Sequence, residues 1–285
     1  MIRLLVLCTF ALAAASAAAQ PVDQRRAVCP AGYDALEAED PAGAIEAFRD
    51  CLAAREYEWT VEAELRARLG AAHLALGEAD AALLAYNQIL GLVENNGGDE
   101  NNPLVRRNRA VAFLQLERYE DALDDLEIAA RRTPEDPFVR TLLGSALLDL
   151  ERHAEAAEAF DAAVRLAPDV ATGWIGRSAA FIELGLTDRA VEDGREAVAI
   201  APENPGALNA LCWALVQAER ASEGLDICRA AVEADPESGA IVHSLAAALE
   251  QTGETGEARD LYARAHELAP DDPEITEDYE RVHGG

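Results

Sequence analysis

The sequence predicts an all-α chain: a right-handed α-solenoid of about seven helical hairpins, closed by a short C-terminal capping helix. Three observations carry this. Pro134, Pro168, Pro202, Pro236 and Pro270 recur every 34 residues without a slip, and a strict period of that length marks a stack of like supersecondary units, not one globular core. Each proline opens the same phrase, as in Pro-Glu-Asp-Pro at 134–137 and Pro-Asp-Asp-Pro at 270–273. Half of the residues are apolar, enough for a continuous core, with an alanine excess that suits closely packed helices.

The elements follow from the chemistry of that phrase. Proline stops one helix, and the polar residue behind it caps the next. Asn102, Asp136, Asn204, Ser238 and Asp272 fit the N-cap slot. Pro103, Pro137, Pro205 and Pro273 then sit in a first turn, where a missing N–H costs nothing. Between these boundaries lie two helix-length apolar patterns joined by polar turns at 116–121, 150–155 and 184–189. Each unit is therefore a hairpin of two helices.

Within a unit, Leu143, Gly144 and Leu147 share one face of the first helix. Ala156, Phe160 and Ala163 share one face of the second, and Pro168 closes the unit. Trp174, Phe181, Ala190, Ala197 and Pro202 repeat the slots, as do Leu245, Ala246, Leu249, Ala258, Tyr262, Ala265 and Pro270. This resembles the tetratricopeptide repeat, whose W-x2-L-G-x2-Y, A-x3-F and P landmarks recur once per unit. Five regular units span 103–272. Two irregular hairpins occupy 27–96, with Leu69, Gly70, Ala82 and Tyr86 in the second and Ala44 and Phe48 in the first. An inserted loop fills 97–102. After Pro273, the stripe Ile275, Tyr279 and Val282 suits a short capping helix, with 273–285 read as that helix and a tail.

Residues 1–19 read as a cleavable signal peptide: Arg3, an apolar stretch from Leu4 to Ala15, then Ala17-Ala18-Ala19 before Gln20, with 20–26 as linker. The apolar stretch is short for a span, and Leu7 before Cys8 does not fit a lipoprotein signal. The expectation is export to the periplasm with no stable membrane anchor after cleavage. All 24 basic residues are arginine, and loss of Arg3 takes the net charge from −29 to −30. Such a field repels nucleic acid and anionic lipid. It reads either as a solvated acidic surface or as the complement of a basic partner.

Export changes the meaning of the cysteines. The mature chain holds four, Cys29, Cys51, Cys212 and Cys228, and an even count in an oxidising compartment suggests disulfides. In an antiparallel hairpin, residues equidistant from the turn lie at equal height. Cys29 and Cys51 flank Asp40 at equal distance, and Cys212 and Cys228 flank Arg220 in the same way. Two bridges within hairpins are expected; buried free thiols in packing slots are the alternative.

No motif supports catalysis, a metal or a cofactor. The five histidines lack metal spacing, no G-x-S-x-G elbow occurs, and the loop 95–102 fails the ligand spacing of an EF-hand. Arg106, Arg109, Arg140 and Arg177 stand in slots where the resembled family places large apolar residues. Asp121, Asp124, Asp125 and Asp193 are available as partners, and Gly194 leaves space for the Arg177 stem. These arginines either pack with ion pairs or grip a ligand carboxylate. The resemblance implies a concave groove, lined by first helices, that takes an extended peptide or a partner helix. Its candidate residues are Arg107 and Val111; Thr141, Ser145 and Leu148; Ile175, Ala179 and Ile182; Asn209, Trp213 and Val216; and His243. The lysine–asparagine clamp of some chaperone-binding relatives is not reproduced. The expected function is a non-catalytic protein–protein adaptor, with an accessory subunit of an envelope complex or a structural spacer as alternatives.

Overall fold

The computed structural model describes residues 26–284. The leader read over 1–19, nearly all of the linker and Gly285 lie outside the described residues. Among the described residues there are fifteen α-helices, one 3₁₀ turn and no strand. The chain divides between Pro134 and Glu135 into two units.

The N-terminal unit holds three hairpins: α1 (Pro30–Glu37) with α2 (Pro41–Ala54), α3 (Trp59–Ala75) with α4 (Ala79–Asn96), and α5 (Pro103–Gln115) with α6 (Tyr119–Arg132). The third, regular in sequence, groups with the two irregular ones. The C-terminal unit holds four hairpins and a cap. They are α7 (Pro137–Asp149) with α8 (His153–Leu166), α9 (Ala171–Glu183) with α10 (Thr187–Ile200), α11 (Pro205–Gln217) with α12 (Leu225–Ala234), and α13 (Gly239–Thr252) with α14 (Thr255–Leu268). The cap, α15 (Pro273–His283), packs on α14 and α13. Successive first helices α7, α9, α11 and α13 pack side by side, so residues 34 apart form rows.

The capping logic is realised at four of its five sites. Asn102 accepts from the amides of Leu104 and Val105, Asp136 from Phe138 and Val139, Asn204 from Ala207, and Asp272 from Glu274 and Ile275. Ser238 holds the N-cap position of α13 but its side chain accepts no capping bond. Among the second helices, Asp40 caps α2 by accepting from the Gly43 amide. Arg118 and Arg152 precede α6 and α8 and reach forward to Asp121 and Glu155, and Arg220, before the 3₁₀ turn that leads into α12, reaches Glu223.

The packing unit is a small residue on a first helix against a large one sixteen positions later. A Cβ at Gly32 would come within 2.7 Å of the Phe48 ring, at Gly70 within 2.8 Å of Tyr86, and at Gly144 within 2.8 Å of Phe160. Glycine is required there because the ring rests on the backbone itself. Ala110 with Leu126, and Ala246 with Tyr262, fill the same slots, all four fully buried.

Hairpin tips carry strain. The turn position in the left-handed region is glycine at Gly77, Gly185 and Gly253, but glutamate at Glu39, Glu117, Glu151 and Glu219, with φ of 55–58°. A side chain there costs roughly 1–2 kcal/mol, against the smaller entropy penalty of glycine. Glu151→Gly and Glu219→Gly are each expected to stabilise the chain by about 0.5–1 kcal/mol. Urea unfolding tests this, with Glu151→Ala as a control that brings no gain.

Candidate functional site

The proposed groove residues fall in rows across the first helices of the C-terminal unit. The deepest row is Thr141, Ile175, Asn209 and His243, each buried with 4–8 % exposure. Neighbouring first helices pack closely enough to cover them. Thr141 is satisfied by donating to the Pro137 carbonyl, 3.0 Å away. Asn209 is not: its Oδ1 is buried without a hydrogen-bond partner. One turn further on lie Ser145, Ala179 and Trp213. Ser145 donates to the Thr141 carbonyl, Ala179 is buried, and Trp213 is half-buried with its ring 5.6 Å from that of His243. The outer row has half-buried Leu148 and Ile182 and buried Val216. Arg107 and Val111 belong to α5 in the other unit. Val111 is buried there, and half-buried Arg107 donates to Asn108 Oδ1.

His243 is tied to the cap. Its Nε2 lies 2.8 Å from Asp278 Oδ2 on α15, so that nitrogen carries the proton and the carboxylate accepts. Arg281 of α15 donates to Glu250 at 2.7 and 2.8 Å and to Asp278 at 2.9 Å, and the Tyr262 hydroxyl donates to Glu250 at 2.8 Å. The Arg281 hydrogen bonds hold the Glu250 carboxyl below its ordinary range, while burial and the contact with Glu250 push the Tyr262 phenol up. The sequence reading missed Asp278 and Arg281. The register contains the signal, because Asp278 lies one repeat and one residue beyond His243.

One tetratricopeptide repeat model matches residues 29–103, 91–137 and 141–205, and a second matches 181–249 and 215–277. The chain belongs to the tetratricopeptide repeat family. Among solved structures, a tetratricopeptide repeat protein from Parabacteroides merdae is similar over 91 % of this chain and 99 % of its own, with a TM-score of 0.70 and 15 % identity. TTC0263, a thermophilic protein of the same repeat from Thermus thermophilus, is similar over 63 % of this chain and 98 % of its own, with a TM-score of 0.55 and 21 % identity. At such identities the likeness is one of fold. None of the curated proteins matches the chain.

Against the tetratricopeptide pattern, Arg106, Arg109 and Arg177 in apolar slots are explained by internal partners. Arg109 donates to Asp125 at 2.6 and 2.8 Å, and Arg106 adds a bond of 2.8 Å to the same carboxylate, which is 1 % exposed. Two repeats on, Arg177 donates to buried Asp193 at 2.8 and 2.9 Å and to Asp161 at 2.7 Å. Arg140 is half-buried on α7. Asp161 is a partner the sequence reading missed. The space at Gly194 is not left for the Arg177 stem: a Cβ there would lie 2.8 Å from the Leu211 Cα, so close approach of α10 and α11 closes it. Arg106 and Arg109 also border an open depression of about 490 Å³ on the N-terminal unit, together with Arg118, Asp121 and Asp124. Arg106 and Arg109 are committed to Asp125, Arg118 to Asp121, and Arg131, which also lines it, to Glu127.

The structure joins Cys29 to Cys51 and Cys212 to Cys228, with Cα atoms 5.9 and 5.0 Å apart. Cys212 and Cys228 stand in the small and large slots that Gly144 and Phe160 occupy two repeats earlier. Among the described residues no group of histidine, cysteine and carboxylate side chains is placed to hold a metal, and no helix is long and apolar enough to cross a membrane.

Proposed function

We propose that this chain is an exported, non-catalytic adaptor of the periplasm, which binds a peptide or helix of a partner protein along the first helices of its C-terminal unit. The observation that carries the reading is Trp213. It is a large aromatic side chain left half-exposed on a first-helix row, where the tetratricopeptide fold is suited to receive a partner, and buried aromatic anchors dominate the energetics of such interfaces. Export is supported by the leader pattern at 1–19 and by two disulfides, which persist in oxidising compartments.

Crosslinking and affinity capture from the periplasm test the adaptor reading. Specific capture is expected from the intact chain and is expected to be lost with Trp213→Ala. Capture that ignores this change removes the groove assignment. Four alkylatable thiols in the unreduced mature protein would instead overturn the case for export.

A further inference from the structure

We propose that the face of α11 around Trp213 receives a cationic side chain, arginine or lysine, from a basic segment of the partner. The inference rests on the adaptor reading and specifies the partner's chemistry. Asn209, one turn before Trp213 on α11, buries an acceptor oxygen that nothing in the protein satisfies. Leaving such a group unmade is costly, and a donor arriving from outside removes that cost. Six aromatic rings among the described residues already carry an arginine. Arginines stack on Tyr33, Tyr57, Phe113, Trp174, Phe181 and Tyr262, at 4.1–5.7 Å where Arg55, Arg68, Arg118, Arg177, Arg189 and Arg281 lie over them. Among the described residues no arginine stacks on Trp213.

Among the described residues, the two basic side chains at this end of the row are already engaged. His243, whose ring touches Trp213, is bonded to Asp278, and Arg281 is committed to Glu250 and Asp278. In the row of Trp213 the neighbouring first helices present only Ala179 and Ala247, too small to cover an indole. An indole face is the best aromatic site for a cation. Asn209 lies four residues before Trp213 on α11, so the same partner segment is taken to supply the donor for its oxygen. The net charge of −29 over the whole chain draws basic segments in and speeds their encounter.

The test uses the full mature chain and three end-capped octapeptides in which leucine alternates with arginine, glutamine or glutamate. Binding is read by calorimetry at two salt concentrations. The arginine peptide is expected to bind, and the glutamine and glutamate peptides to bind at least tenfold more weakly. Trp213→Leu and Asn209→Leu should each weaken the arginine peptide about tenfold, Trp213→Phe should lose less than Trp213→Leu, and Asn209→Asp should tighten it. Equal binding of the three peptides overturns the proposal. So does arginine-peptide affinity that is unchanged in the Trp213 and Asn209 variants, since that is diffuse attraction to an acidic surface. Partner capture that depends on Trp213, combined with preference for the glutamate peptide, would keep the adaptor reading and sink the basic partner.

Discussion

Asp125→Ala is expected to destabilise the N-terminal unit by about 3–5 kcal/mol, because it leaves two arginines in a packing slot without their counter-charge. Asp125 is 1 % exposed, and the side chains of Arg106 and Arg109 are only 16–17 % exposed, so water replaces the lost carboxylate poorly. The repeats themselves show how to repair the damage. Arg109 and Asp125 occupy the slots that Leu143 and Ala159 fill one repeat later, and Arg106 occupies the slot of Leu208 three repeats later. Replacing a buried ionic cluster by packed apolar residues is often neutral. Arg106→Leu/Arg109→Leu/Asp125→Ala is therefore expected to fall within about 1 kcal/mol of the wild type, and Asp125→Asn, which keeps an acceptor but no charge, between the two. Hydrogen exchange in α5 and α6 reads this locally, which matters because stacked repeats open region by region. A loss below about 1 kcal/mol in Asp125→Ala would mean that the arginines swing out to solvent and that the carboxylate holds nothing.

Hairpin boundaries were legible because proline and N-cap residues act locally: Asn102, Asp136, Asn204 and Asp272 need only their own next turn to do their work. Slots were legible because the period repeats. That is how Cys212 could be set opposite Cys228, and how Arg109 stood out where leucine belongs. What the period does not encode is how deeply one helix seats against the next. Thr141, Ile175, Asn209 and His243 share a face in sequence, yet in the structure that row is covered, and only Ser145, Leu148, Ile182 and Trp213 of the proposed C-terminal groove keep appreciable exposure. The same limit hid Asp161 from Arg177 and Asp278 from His243. Each pair depends on a side chain reaching across a helix–helix boundary. Gly194 shows the reverse error, in which a missing side chain reads as empty space but marks a close backbone contact.

Removal of the Cys212–Cys228 bridge by Cys212→Ala/Cys228→Ala is expected to cost the sixth hairpin about 3 kcal/mol or more. The bridge closes a separation of 16 residues, and loop-closure entropy for a loop of about that size accounts for ~3 kcal/mol. Packing adds to it, since both cysteines are buried, at 0 and 1 % exposure, in the slots that elsewhere hold a small and a large residue. The neighbouring hairpin cannot compensate: its own slots hold Ser178 and Gly194, with no large side chain in either. The two contributions separate in Cys212→Ala/Cys228→Leu, which copies Ala110 and Leu126. It restores apolar volume without the covalent link and should recover only about 1–2 kcal/mol, the worth of one buried leucine. Full recovery would show that the bridge acts as filling and not as a constraint on the unfolded chain. The surrounding sequence favours constraint. The second helix of this hairpin is only ten residues long and is preceded by a 3₁₀ turn, Ala221–Glu223, in place of the helical turn found in its neighbours. A hairpin with a shortened second helix, beside another whose large slot holds Gly194 and is closed by backbone contact in place of a side chain, is where a covalent tie adds most. Unchanged hydrogen exchange in α11 and α12 after reduction of the wild-type chain would refute that account.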